Sequence, residues 1–202
     1  MIEFRNVFIK YVNDFYSLYD CNTTISHHSI LIEKNLCGVS GFMRILSKID
    51  KHFLGDVLID NINIKDIKDR DLKIVYLPKN PVLFKHKSIK HNISYPLKIR
   101  KVDKKIIKNE INSLFFQYNL NNFDKKVKKI SLSEQKIIAL LRTVMHTPRY
   151  VLLDNFFENF DEKFLDLALE ILNDIKQKSI IIASQNNFKN YEIFKDFNQI
   201  EI

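Results

Sequence analysis

The chain has 202 residues, 46% of them apolar and 28% charged, which is enough for one substantial core and excludes a disordered chain. Its 32 basic and 24 acidic residues leave a net charge of +8, a balance that a nucleic-acid footprint and a biased nucleotide composition in the source would both produce. Cys21 and Cys37 have neither a metal spacing nor a disulfide framework, and no signal peptide or bilayer-length apolar run is found, so a reducing cytosol is expected.

Residues 2–9 alternate apolar and polar as a strand that ends at Tyr11, and a second strand covers residues 16–25. Ser29-Ile30-Leu31-Ile32 suits a buried strand. Phe42, Ile45, Leu46 and Ile49 then form an i, i+3, i+4, i+7 stripe that predicts a helix over 41–49. Between them, residues 33–40 have the layout of a phosphate-cradling loop, G-x-x-x-x-G-K-[ST]. Gly38 and Ser40 match it, while Glu33 stands at the first glycine and Val39 at the lysine. An ordinary strand-to-helix turn with Ser40 as N-cap explains the same residues. Only 3 residues in the whole chain are Gly, and close backbone approach to phosphate generally takes several.

Residues 55–60 read as a strand, 66–71 as a solvated charge run, and 73–77 as a strand stopped by Pro78. Pro81 starts a turn into Val82-Leu83-Phe84. Over 88–119, lysine-rich helices carry apolar positions at Ile106, Ile107, Ile111, Leu114 and Phe115, the pattern of a small helical subdomain. Residues 124–129 form a basic linker, read as wetted surface rather than a nucleic-acid contact. Ile130-Ser131-Leu132-Ser133-Glu134 precedes a helix over 135–145, and Pro148 separates it from a buried strand over 150–153. That strand ends in Asp154, a carboxylate that needs a metal or a donor to satisfy it. An amphipathic helix over 161–175 with Asp161 at its N-cap, an apolar strand over 179–183 and a closing strand over 199–202 complete an α/β fold with a mainly parallel sheet.

In order and spacing these landmarks resemble the nucleotide-binding domain of an ABC transporter over essentially the whole chain. Tyr11 sits where the family has an aromatic that stacks on adenine. Residues 33–40 and Gly41 lie on its Walker A loop, continued by Arg44-Ile45-Leu46-Ser47. Residues 55–60 are similar to the family's strand there. Lys79 takes the Q-loop glutamine position before Asn80-Pro81-Val82-Leu83-Phe84. Ser131 keeps the serine of the signature LSGGQ, with Leu132, Ser133 and Glu134 in place of Gly-Gly-Gln, and Ala139 and Arg142 fit the helix beyond. Residues 150–154 match the Walker B strand, Asn155 replaces the glutamate that follows it, Asp161 fits the D-loop aspartate, and Gln185 stands at the switch histidine.

The resemblance implies a P-loop NTPase fold with an ABC-type ATPase core. That means a mainly parallel sheet, an N-terminal antiparallel β portion and a helical subdomain inserted at about 86–146 of a single domain, 1–202. It implies ATP and Mg2+ as cofactors, the nucleotide meeting Tyr11, Gly38, Val39, Ser40, Gly41, Lys79 and Ser131, and the metal meeting Ser40 and Asp154. Tyr11 also suits a core-edge aromatic. Val39 offers no donor to phosphate, and losing a charge-assisted hydrogen bond costs about 1.5–3 kcal/mol. Asn155 cannot accept a proton from water, and Gln185 cannot titrate near neutrality, so no catalytic residue is assigned. Leu132 is bulky where the family approaches nucleotide with glycine. Lys79 either stands in for the metal as counter-ion to Asp154 or points into solvent.

The expectation is a transporter ATP-binding subunit with a degenerate nucleotide site, weak nucleotide binding and weak or absent hydrolysis. It would act peripherally at the cytoplasmic face of the cell membrane, with no segment inserted. Its partners would be membrane-spanning subunits and a competent second ATPase subunit, with nucleic acid not among them. The alternative is a non-catalytic scaffold or regulator that keeps the fold without binding nucleotide.

Overall fold

The computed structural model describes residues 1–10, 16–33, 38–121, 124–184 and 191–202. The chain divides into two compact units. The first is Met1–Lys79, Arg149–Phe156 and Ile180–Ile202, and the second is Asn80–Pro148 and Phe157–Ser179. The expected insertion over 86–146 falls within the second unit, which also takes in 157–179.

The first unit holds two sheets. In the antiparallel one, β1 (Ile2–Lys10), β2 (Tyr16–Ile25), β4 (Leu54–Ile59) and β5 (Ile62–Asn63) run in the order β2-β1-β4-β5. The other runs β6-β7-β8-β3-β9, built from β3 (Ser29–Ile32), β6 (Ile74–Pro78), β7 (Tyr150–Asp154), β8 (Ile180–Ser184) and β9 (Asn198–Glu201). Every pairing in it is parallel. Such a sheet carries continuous apolar runs because both faces are covered, and all five residues of β7 are buried.

Helix α1 (Val39–Leu46) touches β2, β6 and β7, so it packs on both sheets of this unit. It buries Val39, Gly41, Phe42, Met43, Ile45 and Leu46. Phe42 stacks on Phe4 of β1 with ring centroids 3.9 Å apart, and Leu31, Tyr150, Leu152 and Ile182 of the parallel sheet join the same core. Gly55 has φ +87°, and a Cβ there would meet the Asn6 carbonyl oxygen at 2.1 Å. A side chain at this point would push β4 off the irregular part of β1.

Several expectations are corrected. α1 starts at Val39 rather than residue 41 and is capped by Gly38 rather than Ser40. It ends before Ile49, which is 53% exposed, because Ser47 and Lys48 close the last turn with N–H bonds to Met43 and Ile45. β6 ends at Pro78 but includes it. Pro78 lies opposite Asp154, and β6 is an edge strand, where a missing N–H costs no ladder bond. The β4–β5 hairpin turns at Asp60 and Asn61, both with positive φ, and its second strand is too short to show alternation. Residues 66–71 include a short 3₁₀ turn, Asp69–Asp71, whose Asp69 pairs with Lys48 at 3.3 Å and Lys51 at 3.5 Å.

The second unit is helical, with α2 (Ile89–Ile99), α3 (Lys104–Gln117), α4 (Leu132–His146) and α5 (Leu165–Lys176). α2 packs on α3 and α4, and α4 on α5. The 124–129 linker contains a 3₁₀ turn, Val127–Lys129, that buries Val127 completely. α4 starts three residues earlier than the apolar periodicity indicates, because Ser131 and Glu134 form a capping box. The Glu134 N–H donates to Ser131 Oγ at 3.2 Å, and the Ser131 N–H donates to Glu134 Oε2 at 2.8 Å. The expected helix at 161 divides into a 3₁₀ turn, Glu162–Phe164, and α5, and Asp161 makes no side-chain cap. Ser131→Ala removes the reciprocal cap, so it should lower the denaturant midpoint by the equivalent of about 1 kcal/mol with an unchanged slope. A midpoint equal to wild type would show that the box contributes nothing.

Candidate functional site

The apolar strand Tyr150–Asp154 puts Leu152 and Asp154 on one face, since side chains two apart share a side. Leu152 faces the core that contains α1, so Asp154 is directed toward the first turn of that helix. The carboxylate is 6% exposed. Ser40 Oγ, in the first turn of α1, donates to Asp154 Oδ1 at 2.8 Å. Tyr76 lies on β6 opposite Leu152, and its hydroxyl donates to Oδ2 at 2.6 Å. Asn155 Nδ2 lies 3.4 Å from Oδ1. Both oxygens of the buried carboxylate are thus held by neutral donors.

The turn after β7 is fixed by the same group of residues. Asn155 has φ +49°, a left-handed conformation that asparagine tolerates better than most side chains. Its N–H donates to Ser184 Oγ at 2.7 Å, and its Oδ1 lies 3.3 Å from that hydroxyl at the end of β8. The amide carbonyl faces a hydroxyl, and an amide has no basicity with which to take a proton from water.

The sequence-derived positions separate clearly. Ser40 and Asp154 are brought together. Val39 is 6% exposed and belongs to the core under α1, so the position that resembles the phosphate lysine serves packing. Gly38 caps α1, its carbonyl accepting the N–H groups of Gly41 at 2.7 Å and Phe42 at 3.2 Å. Glu33 is exposed. Lys79 is not among the hydrogen-bond partners of Asp154, which corrects the counter-ion alternative, and the hydroxyls of Ser40 and Tyr76 compensate the carboxylate instead. Tyr11 and Gln185 lie outside the described residues.

In the second unit, Ser131 and Glu134 are committed to the capping box. Ser133 is buried and accepts the Asp161 N–H at 2.8 Å. Lys136, fully buried, donates to the Glu158 carbonyl at 2.6 Å and lies 5.4 Å from the Phe160 ring centroid. These residues fasten 158–161 to α4. Tyr118 donates to Asp174 Oδ2 at 2.6 Å, and Gln117 Nε2 donates to the same oxygen at 2.7 Å.

Sequence reasoning missed Tyr76, Ser184 and Lys136. Tyr76 alone left a signal, as a hydroxyl-bearing residue inside the apolar run Ile74–Pro78 beside a strand ending in a buried acid. Mg2+ selects hard oxygen donors, and a hydroxyl beside a carboxylate is of that class. The present arrangement leaves little room for a metal, since Ser40 and Asn155 lie on Oδ1 and Tyr76 on Oδ2, so of the carboxylate's about four lone-pair positions the one left is on the oxygen that Tyr76 holds.

The comparisons with known proteins are consistent among themselves. Residues 22–158 match the ABC transporter family. The sn-glycerol-3-phosphate import ATP-binding protein UgpC of Bartonella bacilliformis is 29% identical over 167 residues, 80% of this chain and 48% of its own. That of Bartonella quintana is 28% identical over 177 residues, 85% and 50%. The chain thus spans about half the length of the curated relatives it matches. Among solved structures, the ATP-binding cassette MJ0796 bound to ADP and Pi superposes with a TM-score of 0.78 at 20% identity, covering 92% of this chain and 88% of that one. A bacterial Atm1-family ABC exporter with ATP bound gives 0.81 at 18% identity, covering 100% and 36%. At these identities the two structures establish the fold alone.

Two outcomes follow from the geometry. Val39→Lys puts an ammonium into a core position, so it should destabilise the chain by about 2 kcal/mol or more and should not create ATP hydrolysis, since Asn155 still lacks basicity. A Val39→Lys variant with wild-type melting and vigorous hydrolysis would contradict both parts. The second outcome concerns pH. Burial first, then the hydrogen bond to and the charge of the neighbouring carboxylate, push the phenols of Tyr76 and Tyr118 well above their ordinary value of 10.0. A phenol that keeps its proton longer folded than unfolded contributes stability that is complete below about pH 10 and is lost as the pH rises beyond it. Urea unfolding between about pH 9 and 11 should show a falling midpoint, with a shallower fall in Tyr76→Phe and in Tyr118→Phe. An equal slope in all three proteins would remove the assignment.

Proposed function

Because the chain belongs to the ABC transporter family, we propose that it is an ATP-binding subunit whose nucleotide site is degenerate, with weak or absent hydrolysis. The observation that carries this reading is the state of Asp154, a buried family carboxylate whose two oxygens are held by Tyr76 and Ser40. Two substitutions support it. Val39 is part of the core where the resemblance places a phosphate-binding lysine, and Asn155 offers an amide where it places a base. Losing the lysine contact corresponds to roughly 10- to 150-fold in affinity, and losing a general base typically costs about 10²–10⁴-fold in rate. ATP and Mg2+ are the family's cofactors, and nucleotide would be bound weakly here through Gly38, Ser40 and Gly41 of the opening loop and helix.

The subunit would work at the cytoplasmic face of the membrane with membrane-spanning partners and a second, competent ATP-binding subunit. Among the described residues no helix is long and apolar enough to cross a membrane. Val82 is 76% exposed and Phe84 41% exposed. The Phe84 ring is held edge-on by Tyr95 at 4.6 Å, and Arg142 donates to the Val82 carbonyl at 2.9 Å. A rigid apolar pair of this kind supports a protein contact there. The self-satisfied Asp154 also favours a second reading, a scaffold that keeps the fold and binds no nucleotide.

Purified protein should release phosphate from ATP far more slowly than about 1 s⁻¹, the low end of ordinary enzymes. A turnover near that value that disappears in Asp154→Asn would overturn the degenerate-site reading. Equilibrium binding of labelled ATP separates the remaining two, a weak saturable isotherm supporting the subunit and no binding supporting the scaffold.

A further inference from the structure

We propose that Tyr76 takes the place of a divalent cation at Asp154, so that its hydroxyl completes the buried carboxylate and excludes Mg2+ from it. The inference rests on the reading of this site as a degenerate nucleotide site, and it is tested without nucleotide.

Three features of the geometry converge on it. The first is stoichiometric. Tyr76 holds Oδ2 at 2.6 Å, while Ser40 holds Oδ1 at 2.8 Å with the Asn155 amide at 3.4 Å. Of the carboxylate's about four lone-pair positions the one left is thus on Oδ2, where an ion or one of its waters would have to share the oxygen with Tyr76. The second feature is register. Tyr76 is opposite Leu152, and Asp154 lies two residues further along β7 on the same face, so the parallel ladder itself aims the phenol at the carboxylate. The third is packing. The Tyr76 ring is partly buried against the core that α1 and the two sheets share, and its hydroxyl cannot leave Asp154 without moving the ring out of that packing. A neutral phenol is also a poor substitute ligand for Mg2+, which takes carboxylate, carbonyl and water oxygens. Admitting the ion therefore means breaking a short hydrogen bond to a charged acceptor. Bonds of that class correspond to roughly 10- to 150-fold in an equilibrium constant.

Tyr76 acts here as a positioning residue that sets the metal preference of the site through Asp154. The test is calorimetric titration of Mg2+ alone into the 202-residue chain as wild type, Tyr76→Phe, and Tyr76→Phe combined with Asp154→Asn. Tyr76→Phe should bind Mg2+ roughly 10- to 150-fold more tightly than wild type, and the gain should vanish in the double variant. Tyr76→Leu, which also lacks the hydroxyl, gives the same readout should the phenylalanine variant fail to fold, and circular dichroism verifies each protein. The proposal is overturned by Mg2+ binding in Tyr76→Phe no tighter than in wild type, or by a gain that survives Asp154→Asn. It is overturned equally by wild-type protein that already binds the ion through Asp154 as tightly as the variant. Phosphate release from ATP plays no part in this titration, so failure here leaves slow hydrolysis to its own assay.

Discussion

A carboxylate that is 6% exposed at the end of a fully buried strand has to be compensated where it stands. In this chain the compensation comes from two hydroxyls on separate elements, Ser40 from the first turn of α1 and Tyr76 from the edge strand β6. Removing either leaves a buried acceptor short of a partner, which costs more than the net value of the bond. The pair therefore ties the helix and the neighbouring strand to the end of β7. β7 continues into the left-handed Asn155, and Asn155 is anchored in turn by Ser184 at the end of β8.

The same helix serves the carboxylate and the core at once. α1 supplies Ser40 to the carboxylate on one side and buries Val39, Phe42, Met43, Ile45 and Leu46 on the other. Its Phe42 stacks on Phe4 of the antiparallel sheet. With so much of an eight-residue helix buried, its position is set by packing. An ammonium at position 39 would work against that packing, whereas valine adds to it. The result is a helix whose first residue, Val39, belongs to the core.

In the second unit, polar residues near the start of α4 are likewise committed to structure. Ser131 and Glu134 cap the helix. Ser133 accepts the Asp161 N–H, and the buried Lys136 donates to the Glu158 carbonyl. Asp161 is thereby held through its backbone, and its carboxylate plays no part in capping the turn that follows. Leu132, the bulkiest departure from the glycine-rich family pattern, is the first residue of α4, where a glycine would weaken the helix.

Much of the architecture was legible in the sequence because it depends on local periodicity. Alternation marked β1, continuous apolar runs marked β3, β7 and β8, and the spacing of apolar residues marked α3 and α5. The order of motifs carried the family. Boundaries were less legible wherever side-chain bonding decided them. Ser131 and Glu134 start α4 ahead of its apolar stripe, Gly38 starts α1 ahead of Ser40, and the edge position of β6 lets Pro78 stay in the strand. Sequence alone established that Asp154 ends a buried strand and needs a partner, and it placed Ser40 within reach through the motif. It left Lys79 either beside Asp154 or in solvent and missed Tyr76, since that partner depends on which residue of β6 stands opposite which residue of β7. Those strands are separated by some seventy residues of chain and meet only through the parallel sheet. Tertiary structure decided it, because a one-residue slip in that register would turn the tyrosine to the other face and leave the carboxylate unsatisfied.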